Sequence, residues 1–235
     1  MNNIVSIHQP SYFPWLGLLD KINGSDKFIL LDTVQLNDNA FQSRNIFLNH
    51  RGDVEYLTIP IIKKDYQSKT IRELKVLDSR WQKKHHGFII SNYKKHPFFD
   101  EVYPIIESLY SKKYTFLVDI LSDSMDMSYE LFDITTGIIL ASDLDIEDGL
   151  SKDDLVLAQL KAIKASTYLS GTGAKAYQDE SKFQIEDIVL EYQSFSHPQY
   201  KQKNAKEFEL GLSALDVVFN LGKKESRRLL NGKGV

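Results

Sequence analysis

The chain has 235 residues, 42% of them hydrophobic and 26% charged, with a net charge of -3. These are the proportions of an ordinary globular protein with enough residues for one sizeable core, and they give no general pull toward nucleic acid or anionic membranes. There is no cysteine, which excludes disulfides, thiol nucleophiles and thiolate metal sites and leaves His, Asp and Glu as metal ligands. The start, MNNIVSIHQP, lacks a basic segment followed by a long apolar run, and no later run approaches a membrane span, so the chain reads as cytoplasmic with no membrane insertion.

NNIVSIH is short, apolar and β-branched and predicts a buried strand. In WLGLLDKIN, Trp15, Leu18, Leu19 and Ile22 share one helical face, with Pro14 suited to the first turn and Gly24 to the stop. KFILLD, residues 27–32, supplies a second strand. Strand, loop, helix and strand within about thirty residues is the size of a βαβ unit. Ligands of such folds gather at the carboxyl ends of the strands, where His8 and Asp32 fall. The connecting loop, HQPSYFPWLG, packs an imidazole, a carboxamide, a phenol and two prolines into ten residues, which is more than a plain turn needs.

The polar segment TVQLNDNAFQSRN carries Gln35, Arg44 and Asn45. IFLN, the turn HRGD and VEYLTIPII then predict a hairpin, and KKDYQSK an exposed loop. IRELKVLD reads as another strand. Trp81, Phe88, Ile89 and Tyr93 recur at helical spacing, and Pro97 ends that helix and opens the next near Phe98. His85 and His86 point about 100° apart on a helix, so they do not face one metal as an i, i+4 pair would; they read as solvated helix residues.

KYTFLVDILSDSMDMSYELFDI extends the helical content, GIILAS reads as a buried strand, and SKDDLVLAQLKAIKA as a helix opened by a capping-box variant at Ser151. TYLS then meets Gly171 and Gly173 before AKAYQ begins a helix, so backbone N–H groups there are placed to line a small anion site or simply to make a tight turn. Neither the dinucleotide fingerprint nor the Walker pattern is present. IVLEYQSF is a strand, HPQYKQKNAKEFELGL a long polar connection, and SALDVVFNLG a helix with Ser213 as N-cap and Gly222 as stop. The basic run KKESRRLLNGKG favours a helix C-terminus. The fold expected is α/β: a Rossmann-like βαβ start, a largely parallel or mixed sheet flanked by helices, and a helical extension. A single domain over 1–235 is expected, with a helical subregion near 80–135.

Two separated blocks resemble the WbqC-like proteins of bacteria: IHQPSYFPWLGLLDKI with SDKFILLDTVQ, and YLSGTGAKAY with FQIEDIVLEYQSF, HPQYKQ and LSALDVVFNLG. RNIF, YLTIPI and the Trp81 to Pro97 region fit the family's middle portion. The resemblance implies a place in O-antigen (lipopolysaccharide) or other surface-polysaccharide biosynthesis, with work on an activated sugar such as attachment of an acyl or aminoacyl group, for example glycyl, to an amino sugar. The expected partners are then a nucleotide-sugar substrate and an activated acyl or aminoacyl donor, with no nucleic acid and with room for a homo-oligomer.

Such N-acylation needs a neutral amine attacking an activated carbonyl, a base for the released proton and donors for the developing oxyanion. His8 is the base candidate and Gln9 its catalytic neighbour. Gln35 and Asn45 are candidates to orient sugar hydroxyls or a carbonyl, Arg44 to pair with a phosphate, and Tyr12 and Trp15 to stack on a base or sugar, with core packing the competing role for Trp15. Asp32, Ser170, Gly171, Gly173, Tyr177 and Gln202 complete the candidate substrate-binding set. Two other readings stay open. The N-terminal strand, histidine loop, helix and strand look like the opening of the HIGH-type nucleotidyltransferase superfamily, which would use ATP with magnesium, although His8 is followed by Gln9 and Pro10 and no H-x-G-H is present. The other is a non-catalytic partner in polysaccharide assembly. All the enzyme readings require His8 and the glycine turn near residue 172 to share one hollow.

Overall fold

A computed structural model of the chain describes residues 3–36 and 41–232. The stretch 37–40 of the expected polar segment, and the chain ends, lie outside the described residues. The strands are β1 (Ile4–His8), β2 (Lys27–Leu30), β3 (Arg44–Leu48), β4 (Val54–Thr58), β5 (Gly137–Leu140), β6 (Thr167–Ser170) and β7 (Val189–Tyr192). The helices are α1 (Leu16–Asn23), α2 (Arg80–Tyr93), α3 (Phe99–Ile106), α4 (Leu117–Phe132), α5 (Lys152–Ala162), α6 (Glu180–Ile185) and α7 (Ala214–Leu230). None of the described helices is long and apolar enough to cross a membrane.

Packing divides the chain into two compact units, Met1–Gln9 with Asp20–Thr33 and Thr135–Ser196, and Pro10–Leu19 with Val34–Ile134 and His197–Val235. The first holds a five-stranded sheet, order β5-β2-β1-β6-β7, with every neighbouring pair parallel. The α/β, Rossmann-like expectation is therefore met. Val5 and Ile7 of β1 and Tyr168 of β6 bury one face of the sheet against Leu157 and Leu160 of α5 and Phe183 of α6. Side chains alternate along a strand, so Ser6 and His8 project to the other face, where Ser25, just past α1, donates to Ser6 Oγ at 2.8 Å.

The second unit holds the antiparallel hairpin β3–β4, in the register Arg44↔Thr58 to Leu48↔Val54, and a helical core in which α7 packs on α3 and α4. Ser213 caps α7 by accepting from Leu215 N–H. At Gly222 the backbone turns to φ 74°, ψ 169°, so the predicted stop does end a helical segment, and a second segment follows it to Leu230.

Four local expectations are corrected. IRELKVLD forms no strand: the Thr70 N–H and hydroxyl both bond the Glu73 carboxylate, the Thr70 side chain receives the N–H of residue 73, and this capping box closes a 3-10 turn over Ile71–Glu73. The β-prone residues after it make only the single bridges Lys75↔Phe116 and Ile61↔Val76. GIILAS is an edge strand, with Gly137 and Ile138 exposed, because β5 has a neighbour on one side only. Ser151 precedes α5 without a side-chain capping bond; Asp153 instead accepts from Asp179 N–H. AKAYQ begins no α-helix: its first three residues close the 3-10 turn Thr172–Ala176, and the helix waits until Glu180.

Candidate functional site

The order of the sheet fixes where a site can form. From β1 the chain moves outward to β2 and then β5, and returns to the other side of β1 for β6 and β7. The direction of winding reverses between β1 and β6, and in open α/β sheets ligands bind at the carboxyl ends of the strands at such a reversal. Here the ladder between the two strands is also short. β1 pairs with β2 over four residues, through His8↔Leu30, but with β6 over only two, Ile4↔Thr167 and Val5↔Tyr168. Carried forward, that register would pair His8 with Gly171, three positions beyond the last bridge.

His8 ends β1 and is partly buried. Its Nδ1 lies 2.8 Å from the Gln9 carbonyl oxygen, and a carbonyl can only accept, so Nδ1 carries the proton and Nε2 keeps its lone pair. Burial first, then the positive charge of Lys21, pushes the pKa down to about 4, against the smaller opposing effect of the Gln9 carbonyl. At neutral pH the ring is uncharged and fixed in one tautomer. Lys21, on α1, is 4% exposed and donates through Nζ to Ile7 O at 2.9 Å; burial lowers its pKa to about 8. Beyond β7, Gln193 donates through Nε2 to the Asp20 carboxylate at 2.6 Å and through its N–H to Ser170 O at 2.8 Å, while burial raises the Asp20 pKa. Gly171 and Gly173 have no positive φ, and a Cβ on either would meet no atom within 4 Å; they leave open space beside the turn.

Of the candidates, His8, Gln9, Ser170, Gly171, Gly173 and Tyr177 belong to the sheet unit. Tyr177 is 74% exposed. Ser170 is buried and donates to Gln178 Oε1 at 2.8 Å. Asp32 is also in this unit, but its carboxylate is 1% exposed and accepts from Ser142 N–H at 3.0 Å; it braces the end of β2 against the end of β5 and is withdrawn from ligand contact.

The remaining candidates belong to the other unit, where most are engaged internally. Tyr12 is fully buried, with its hydroxyl 3.0 Å from His85 Nδ1 and 3.4 Å from the Tyr110 hydroxyl, so it offers no face to a base or sugar. His85 is accordingly a core residue, not a solvated one: burial pushes its pKa down to about 3. Asn45, 2% exposed, donates to Tyr12 O at 3.1 Å and Phe13 O at 2.6 Å. Those bonds help hold Phe13 at φ 40°, a left-handed conformation that bulky residues avoid unless their surroundings over-determine it. Gln202 ties the Tyr200 hydroxyl to the backbone of Glu209. The Arg44 guanidinium lies 4.6 Å from the Tyr56 ring centre. Gln35 is exposed and bridges to Thr70. Trp15 is 39% exposed and bridges to Ser213, so core packing is not its role. Among the described residues no group of three or more His, Asp or Glu is placed to hold a metal ion.

Lys21, Asp20 and Gln193 were not singled out by the sequence. A Lys–Asp pair on an amphipathic helix carries no mark of burial, and only the parallel strand order brings Gln193 to the same edge as residue 20.

The parallel sheet and its strand order define a Rossmann-like α/β protein. The chain belongs to the WbqC-like protein family, whose sequence profile matches residues 9–228. It is 28% identical over 220 residues to a protein of Mycobacterium tuberculosis named as uncharacterized protein Rv1507c, covering 93% of this chain and 94% of that one. No solved structure matches the chain.

Proposed function

We propose that the chain transfers an acyl or aminoacyl group, such as glycyl, to the amino nitrogen of a nucleotide-linked amino sugar during assembly of a bacterial surface polysaccharide. The observation that carries this reading is the neutral, tautomer-fixed His8 at the carboxyl end of β1, where the winding reverses and the β1–β6 ladder has ended. In the reaction the amine nitrogen attacks the donor carbonyl, the new C–N bond forms, the bond to the donor's leaving group breaks, and the nitrogen sheds a proton. His8 Nε2 is the acceptor for that proton. The Gln9 carbonyl, by holding Nδ1–H, keeps the lone pair on the reacting side. Family membership supports the polysaccharide setting.

The test is to incubate the purified protein with nucleotide-linked amino sugars and a panel of donors, including acyl thioesters and free amino acids with ATP and magnesium, and to follow the mass of the sugar nucleotide. The expected result is a mass gain of one acyl or aminoacyl group, reduced at least ~100-fold in kcat by His8→Ala, with far-UV circular dichroism unchanged. No product with any donor sinks the reading. Amino-acid-dependent release of pyrophosphate from ATP, with no need for a sugar, would point instead to an adenylate-forming ligase, a chemistry the β1–α1–β2 opening also accommodates.

A further inference from the structure

The ammonium of Lys21 occupies a position that the strand geometry defines. Carbonyls alternate sides along β1: Asn3 O receives the N–H groups of Ser166 and Thr167 on the β6 side, while Ile4 O and His8 O receive those of Asp26 and Leu31 on the β2 side. Ile7 O therefore faces β6. It does so two residues beyond Val5↔Tyr168, where the β1–β6 ladder has ended. Lys21 Nζ takes the place of the missing β6 donor, and so stands on the β6 side of β1, past the end of the ladder.

That carbonyl is the one hydrogen-bonding partner of the Lys21 ammonium among the described residues, and no carboxylate there lies within ion-pair distance of it. Two of its three N–H donors remain to be used. Asp20, its neighbour on α1, is bonded to Gln193. A charge held this deep without a counter-ion is unfavourable unless an anion arrives to pair with it. Near it is the neutral His8 ring, and on the β6 side the strand runs into Gly171 and Gly173, where a Cβ would meet no atom within 4 Å.

We propose that Lys21 donates to a phosphate oxygen of a nucleoside diphosphate bound where the β1–β6 ladder ends. This rests on the reading of the ligand as a nucleotide-linked sugar. Lysine suits the task as a compact point charge that needs no planar partner. The residue binds substrate and takes no part in proton transfer.

The experiment measures binding of UDP, inorganic pyrophosphate, ATP and uridine by calorimetry, to the full chain and to Lys21→Met, alongside the melting temperature of each protein without ligand. The expected result is that UDP and pyrophosphate bind and uridine does not, that Lys21→Met weakens UDP at least 30-fold, and that the variant melts at or above the parent, since an unpaired buried charge has been replaced by an apolar chain of similar length. Unchanged affinity in Lys21→Met overturns the proposal, as does failure of UDP and pyrophosphate to bind the parent. ATP binding more tightly than UDP overturns the assignment to a sugar nucleotide. As a check that needs no variant, the Lys21 15Nζ resonance of the parent should move on addition of UDP and stay in place with uridine; a signal indifferent to UDP also overturns it. Loss of UDP binding in Lys21→Met without acyl transfer by the parent keeps the anion site and removes the transferase reading, and transfer by the parent with unaltered UDP affinity in the variant does the reverse.

Discussion

His8 and Lys21 set opposite demands on pH. The imidazole, held at about 4 by burial and by Lys21, stays in its base form throughout the physiological range, so the acid limb of kcat/KM for the free protein is expected near pH 4 and not near the usual 6.5. A limb at 6.5 that disappears in His8→Ala would contradict this. Lys21 falls from 10.5 to about 8 in the folded chain. Between those values the unfolded chain binds the proton and the folded one has released it, so stability rises with pH across that window and the deficit is complete below about 8. The deficit is about 3 kcal/mol. Lys21→Met is expected to flatten this rise in urea titrations run between pH 8 and 10.5. Asn45→Ala strips the two carbonyls of Tyr12 and Phe13 of a buried donor and is expected to cost about 2 kcal/mol in the same assay. The sequence made His8 and Gln9 conspicuous, because an imidazole and a carboxamide ahead of a loop with two prolines are more than a plain turn needs. It could not reveal Lys21, whose ammonium matters only once the β1–β6 ladder has ended. Nor could it separate Asn45 or Gln202, spent on internal bonds, from residues left open to a ligand.

At the level of elements, strands and helices with strong patterns were readable, and local side-chain chemistry decided the exceptions. KFILLD and IVLEYQSF are apolar or β-branched runs and became β2 and β7. IRELKVLD has a similar β tendency, but Thr70 and Glu73 close a turn before it can extend. Gly222 was readable as a stop, although not the continuation past it. A Cβ at that position would lie 2.6 Å from Phe98 Cδ1, on a backbone with φ 74°. Gly222→Ala must therefore strain the turn and displace the ring; the expected loss is about 3 kcal/mol, seen as a lower urea midpoint with an unchanged slope. A variant as stable as the parent would mean that the turn carries no strain of consequence.

Across the whole chain, neither compact unit is made of one continuous stretch. The sheet unit needs Met1–Gln9, Asp20–Thr33 and Thr135–Ser196, and the other unit needs Pro10–Leu19, Val34–Ile134 and His197–Val235. A cut after Ile134 leaves β1 and β2 in one piece and β5, β6 and β7 in the other, and divides α4 from α7. Fragments 1–134 and 135–235 are each expected to lack a cooperative melt, with helical and near-ultraviolet signal returning only on mixing; a sharp melt for either fragment alone would count against this interleaving. The parallel order was only half visible beforehand. The βαβ opening announced itself within thirty residues, whereas the return of β6 to the flank of β1 depends on a partner more than 150 positions away.

The central place of β1 also has a consequence during synthesis. The segment that covers its flank toward β6 leaves the ribosome some 160 residues after β1 itself, about 8–30 s at ordinary elongation rates. For that interval a β-branched strand with an unpaired edge is available to other nascent chains, so yield in a cell should depend on chaperone supply and on growth temperature more steeply than the melting temperature of the finished protein would suggest.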